Sequence, residues 1–153
     1  MEAILRDVPE DRILRLTREL PFTAEQLFAA FRDPETLAAW WGPSGFTNTF
    51  HEFDFQPGGY WRFVMHGPDG KNYQNDSRFL EITEPTEILF RHLSAPHFQT
   101  TIRYEPLEQG CRLDWQMAFD DAHTRDAVAK FAGDGLAQNV DRLTATLSAR
   151  LPK

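Results

Sequence analysis

Five histidines and one cysteine are the side chains here best suited to proton transfer, nucleophilic attack or transition-metal binding. A metal needs His, Cys or carboxylate ligands that converge, which on a helix takes spacings such as HxxxH or HExxH. His51, His66, His92, His97 and His123 offer neither, and the turn at Ala95-Pro96 separates His92 from His97. No metal site is expected. Cys111 is alone, so there is no intrachain disulfide and no thiolate cluster; with no Cys-His signature around it, it reads as a small buried hydrophobe. A G-x-S-x-G elbow and a P-loop are both missing, and PGG (57–59) and PDG (68–70) are turns, not phosphate cradles. No catalytic residue and no cofactor are assigned.

Two histidines stand in apolar company. By strand alternation His51 shares a face with Phe53 and Phe55, and His92 with Ile88 and Phe90. Each is expected either as a hydrogen-bonded core or strand-end residue or, less commonly, as an acid/base. Arg103 alternates with Ile102 and Tyr104 and is expected to face solvent or to pair with Glu105 or Asp114. Trp61, Phe63 and Met65 form one strand face, and Trp115, Met117 and Phe119 another. Singly, each suits a packed core. Together they suit the wall of a pocket for an apolar or aromatic small molecule, closed by a helix face near Phe131, Leu136 and Asn139.

The elements that must position these residues follow from periodicity. Residues 12–20 alternate as a half-buried strand, and Pro21 ends it. Thr23 and Gln26 form a capping box ahead of Leu27, Phe28 and Phe31 at helical spacing. Asp33-Pro34 opens a second short helix with Leu37, Trp40 and Trp41 at i, i+3 and i+4; Asp33 is expected to cap its amides, and Gly42-Pro43 stops it. The two tryptophans diverge by ~100° on a helix. Trp41, four residues after Leu37, is expected to pack structurally, and Trp40 to stand at the margin of the cavity mouth.

From 47 to 119 the pattern is strands and turns: 47–55, 60–66, 73–82, 88–93, 100–107 and 111–119. Beyond Phe119, Val128, Ala132, Leu136, Val140, Leu143, Leu147 and Leu151 trace one face of a long amphipathic helix. Gly133 and Gly135 each cost ~1 kcal/mol against alanine there. Either they allow a close approach, or the helix properly begins near Asp134. The fold class expected is α+β: an antiparallel sheet of six or seven strands curled around a long C-terminal helix, with two short helices after the first strand.

The 153 residues fit one domain spanning 1–153, with 1–11 a flexible N-terminal segment. Sixteen basic against 23 acidic residues give a net charge of −7 without a basic stripe, which argues against nucleic acid and anionic membranes as partners. With no apolar run of about 18 residues and no signal-peptide core, membrane insertion is not expected and the cytoplasm is the expected location.

The segments WWGP.GFT (40–47), PGGYWRFVMHGPDG (57–70) with Tyr73 and Asn75, FLEI (79–82) and GL…N.DRL (135–143) resemble the SRPBCC, or START-like, superfamily. More narrowly, they resemble its branch named after the activator of heat-shock-protein-90 ATPase homologue. The resemblance runs from about Arg12 to Leu151 and implies a helix-grip fold with a hydrophobic cavity between sheet and C-terminal helix. Relatives include lipid and hormone carriers and polyketide aromatases and cyclases. Many members of the branch carry Gly-Trp where this chain has Gly135-Leu136, which implies a larger or differently shaped ligand space. The naming co-chaperone has a separate N-terminal domain, for which no room is expected in these 153 residues.

The first expectation is a domain that binds an apolar or aromatic small molecule, with Trp40, Trp41, His51, Phe53, Trp61, Phe63, Met65, His92, Trp115, Met117, Phe131, Leu136 and Asn139 as the candidate ligand-binding set. A polyketide cyclase-like enzyme is the rival. A co-chaperone-like ATPase activator, with a chaperone partner, is the third reading, and a homodimer stays open.

Overall fold

The computed structural model describes residues 4–132 and 134–150, with 131 and 132 by their backbone alone. After a single 3-10 turn, Glu10–Arg12, comes β1 (Ile13–Leu20). The Thr23 capping box then forms: Thr23 Oγ1 accepts from the Gln26 amide at 3.1 Å, and the Thr23 amide donates to Gln26 Oε1 at 2.9 Å. It starts α1 (Ala24–Arg32), and Pro34 opens α2 (Pro34–Trp40). Asp33 does not cap amides as expected; its carboxylate instead accepts from the Thr36 hydroxyl. Six strands follow: β2 (Thr47–Phe53), β3 (Tyr60–His66), β4 (Asn72–Thr83), β5 (Glu87–His92), β6 (Phe98–Pro106) and β7 (Cys111–Phe119).

All pairings are antiparallel, in the order β1-β7-β6-β5-β4-β3-β2. The last six strands are thus a meander, and β1 adds to its far end, with Leu16 opposite Trp115. Since β1 and β2 are opposite edges, α1 and α2 must carry the chain from one edge to the other. Their apolar faces bury Leu27, Phe28, Phe31, Leu37 and Trp40 on the way. Phe31 is the hub, its ring centroid 5.5–6.3 Å from those of Trp40, Trp41, Phe55, Trp61, Phe79 and Phe90. Such aromatic pairs are each worth ~0.5–1.5 kcal/mol beyond the area they bury.

The single long C-terminal helix of the sequence reading is two helices, α3 (Ala122–Ala132) and α4 (Gly135–Arg150). α4 begins at Gly135, beside the start near Asp134 that the glycines allowed as one of two expectations. The helix restarts with Gln138 N–H donating to Asp134 O at 2.9 Å. Val140, Leu143 and Leu147 of α4 are buried in the same core as Leu20, Leu113 and Trp115. Phe131 and Leu151, expected on this helical face, lie outside the described side chains. The result is α+β, an open seven-stranded antiparallel sheet with a C-terminal helix, in keeping with a helix-grip fold.

Candidate functional site

Where α2 ends, the chain makes a non-helical passage whose backbone groups need partners. Gly42 takes φ +95°, a left-handed conformation that suits glycine at the position after a C-cap. Helix α4 supplies the partners. Arg142 Nη1 donates to the carbonyls of Trp41, Gly42 and Pro43 at 2.9–3.0 Å, and Nη2 to those of Ala39 and Phe46 at 3.0 and 2.9 Å. Burial alone pushes the guanidinium pKa down from its ordinary value, and its charge is met entirely by carbonyl dipoles in this set. Asn139 Oδ1 accepts from the Gly42 amide at 3.2 Å while its Nδ2 donates to Trp40 O at 2.7 Å. Asn48 of β2 adds Nδ2 bonds to Ala38 O and Trp41 O.

This pinned passage forms one lip of a cavity of about 240 Å³ between the sheet, α3 and α4. Trp41, Gly42 and Pro43 border it from the lip; Val128, Gly135, Leu136 and Asn139 from the helices. The sheet contributes Leu14, Trp61, Phe63, Met65, Phe90, Phe98, Trp115 and Met117, along with the polar residues Asn75, Ser77, His92 and Thr100. Trp41 stacks on Trp115 at 5.3 Å between centroids, and Trp61 on Phe63 at 4.5 Å. Among the described residues, no Lys, Arg, Asp or Glu borders the space. A dry apolar cavity of roughly 150 Å³ takes benzene, so this one has room for a one- or two-ring molecule.

The polar residues sit together by register. Ser77 of β4 lies opposite Trp61 on β3 and His92 on β5, and Asn75 opposite Phe63. His92 is buried, its ring stacked on Phe98 at 4.5 Å. Pro96 O, 2.8 Å from Nδ1, can only accept, so Nδ1 carries a proton. Nε2 lies 2.8 Å from Asn75 Oδ1 and 3.4 Å from Ser94 Oγ. In the imidazolium Nε2–H donates to Asn75; in the neutral ring Nε2 accepts from the Ser94 hydroxyl or from the Asn75 amide turned end for end. Desolvation is the largest influence and pushes the His92 pKa down from 6.5, against the opposing pull of the Pro96 and Ser94 backbone bonds. Burial therefore favours the neutral ring near pH 7. Ser77 Oγ, Trp61 Nε1 and Trp115 Nε1 are buried and have no hydrogen-bond partner.

Nine of the residues singled out in the sequence border the cavity: Trp41, Trp61, Phe63, Met65, His92, Trp115, Met117, Leu136 and Asn139. His51 does not. The β2–β3 ladder shifts register between Phe50 and Glu52, a bulge that turns Phe50 and Phe53 toward the core and leaves His51 exposed. Phe53 packs with Phe50, Phe55 and Trp61 but is not part of the wall. The two tryptophans exchange the roles expected of them. Trp40 is core, with Nε1 donating to Ala30 O at 3.0 Å, and Trp41, just past the helix end, faces the cavity. Arg103 faces solvent, as expected, and pairs there with an acid, Glu87, across the β5–β6 ladder. Cys111 is buried, and desolvation pushes its thiol up to about 11, so it is no thiolate at neutral pH.

Sequence reasoning passed over Asn75, Ser77 and Thr100, although strict alternation from Phe79 and Ile102 places them on the inward face. It also missed Arg142, whose signal was its i+3 spacing from Asn139 beside the buried stripe.

A sequence model of the family described as "Activator of Hsp90 ATPase homolog 1-like protein" matches residues 21–148. Among solved structures, one from Rhodobacter sphaeroides is 27% identical with a TM-score of 0.84, covering 94% of this chain and 97% of its own. The AHSA1 protein from Silicibacter pomeroyi is 25% identical with a TM-score of 0.75, covering 91% and 99%. A structure from Arthrobacter aurescens, 24% identical with a TM-score of 0.85 over 96% and 91% of the two chains, shares the fold. A comparison with curated proteins finds no match.

Proposed function

We propose, for a chain that belongs to the activator of Hsp90 ATPase homolog 1-like family, that it binds an apolar or aromatic small molecule in the cavity between its sheet and α4. One observation carries this reading: the space of about 240 Å³ is walled by Trp41, Trp61, Phe63, Phe90, Trp115 and Met117 without a charged side chain among its lining residues. Apolar surface left uncovered inside a domain gains free energy when a ligand covers it, roughly 25 cal/mol per Å². Saturable uptake of the neutral two-ring fluorophore N,N-dimethyl-1-naphthylamine, followed by fluorescence, tests it. Leu136→Trp should fill the space and abolish uptake while the protein stays folded; equal uptake by wild type and variant would sink the reading.

His92 favours a second reading, a cyclase-like enzyme that folds a polyketone and moves its protons. It is the one histidine that borders the cavity, and burial holds it toward the neutral form that can act as a base. Turnover of a poly-β-ketone thioester that survives unchanged in His92→Gln would remove His92 from that role. A co-chaperone role is tested by ATPase turnover of a bacterial chaperone with and without this protein.

A further inference from the structure

Three buried hydrogen-bond donors on residues that line the cavity have no partner, Ser77 Oγ, Trp61 Nε1 and Trp115 Nε1, and the first two belong to cross-strand neighbours. Ser77 Oγ and Trp61 Nε1 are buried without a partner, on residues that face each other across β3 and β4 and both border the cavity. Ser77 is 1% exposed and Trp61 0%. An indole N–H can only donate, so bulk water or an internal acceptor would normally take it up, and leaving it buried and bare costs stability. The strand pairing of both residues runs through backbone groups and needs neither side-chain hydrogen.

The chemistry of the missing acceptor is narrowed by its surroundings. With no Lys or Arg on the wall, a carboxylate would enter without a counter-charge, a costly burial. An amine head would set hydrogen against hydrogen at Trp61. A carbonyl oxygen has two lone pairs and can take both donors while remaining neutral. The molecule's body must lie against the faces of Trp61, Phe63, Phe90 and Trp115, which suits a flat ring system.

We propose that the ligand is an aromatic or similarly flat molecule carrying a neutral carbonyl group, as in a ketone, ester or amide, whose oxygen accepts from Ser77 Oγ–H and Trp61 Nε1–H. This rests on the cavity-binding reading above and adds the polar end of the molecule to it.

Calorimetric titration of the full-length protein with 2-acetylnaphthalene, 2-ethylnaphthalene and 2-naphthoate tests the assignment. The ketone should bind about tenfold more tightly than the hydrocarbon, and the carboxylate more weakly than the ketone. Ser77→Ala should cut the ketone's advantage over the hydrocarbon to about threefold or less, and Trp61→Phe, which also reshapes the wall and shifts both affinities, should shrink the same ratio. The infrared C=O stretch of the bound ketone should lie below its value in hexane, and move back up in Ser77→Ala. Equal affinities for ketone and hydrocarbon, an advantage that survives both substitutions, or tightest binding of the carboxylate overturns the carbonyl assignment and leaves cavity binding standing. Binding of none of the three overturns both.

Discussion

Asn139 and Arg142 on the helix side of the cavity spend their donors on backbone carbonyls, whereas Ser77 and Trp61 on the sheet side hold polar hydrogens that reach no acceptor. The two regions meet at one space, Asn139 on its wall and Arg142 behind its lip, yet only the first has its donors paired within the chain. Buried polar groups in folded proteins are nearly always paired, because the penalty of an unpaired one rivals the gain from several good contacts. The paired set therefore belongs to the architecture: it fixes the passage after α2 and with it Trp41. The Ser77 and Trp61 hydrogens hold nothing in the fold, although the Trp61 ring itself is packed core, and on the proposed reading they are where a ligand gains most.

That contrast is broken or sharpened by substitution on each side. Arg142→Met should have the largest effect, a loss of about 3 kcal/mol in chemical denaturation, since five carbonyls lose a charged donor at once. A loss under about 1 kcal/mol would mean that water replaces the guanidinium, and the helix side would cease to be architectural. Asn139→Ala comes next at about 2 kcal/mol, from the orphaned Gly42 amide and Trp40 carbonyl.

His92 stands between the two regions in kind, paired but titratable. Its folded pKa lies below the 6.5 of the free side chain, so the stability it brings is present above pH 6.5 and is lost as pH falls through the folded value. Wild type should accordingly lose more stability than His92→Gln on going from about pH 7 to about pH 5. Parallel melting-temperature profiles for the two proteins across that range would contradict the shift. Ser77→Ala should have the smallest effect, between zero and a gain of about 1 kcal/mol in the ligand-free protein, because it removes a hydroxyl that has no partner. A clear loss would show that Ser77 serves the fold after all.

The difference between the regions also explains what could be read in advance. Alternation and turn chemistry located all seven strands, and the Thr23 capping box located α1, because those signals are local. The inward faces of β3 and β7 followed from the same pattern, and most of the aromatic wall with them. His51 went astray because a bulge adds one residue to a strand, and nothing in TNTFHEFDF marks which residue is extra. The tryptophans were exchanged because α2 ends at Trp40: Trp41 is the C-cap with extended backbone, ψ 136°, so helical projection no longer describes its direction. Arg142 went unread for a different reason: its spacing from Asn139 showed where it stands but not what it binds. Its partners are carbonyls about a hundred residues away, and a main-chain acceptor leaves no mark in residue type.

The attachment of β1 to β7 joins residues about a hundred positions apart, Ile13 to Ala118 and Leu20 to Cys111. During synthesis the first strand emerges long before its only neighbour exists, so it must wait, unpaired, while the meander assembles. The Arg142 grip on residues 39–46 comes later still, from nearly the end of the chain. Such distant closures carry a large loop entropy and place folding toward the slower, millisecond-to-second range. A ribosome-bound chain cut short before α4 therefore presents an aromatic half-shell without its cover.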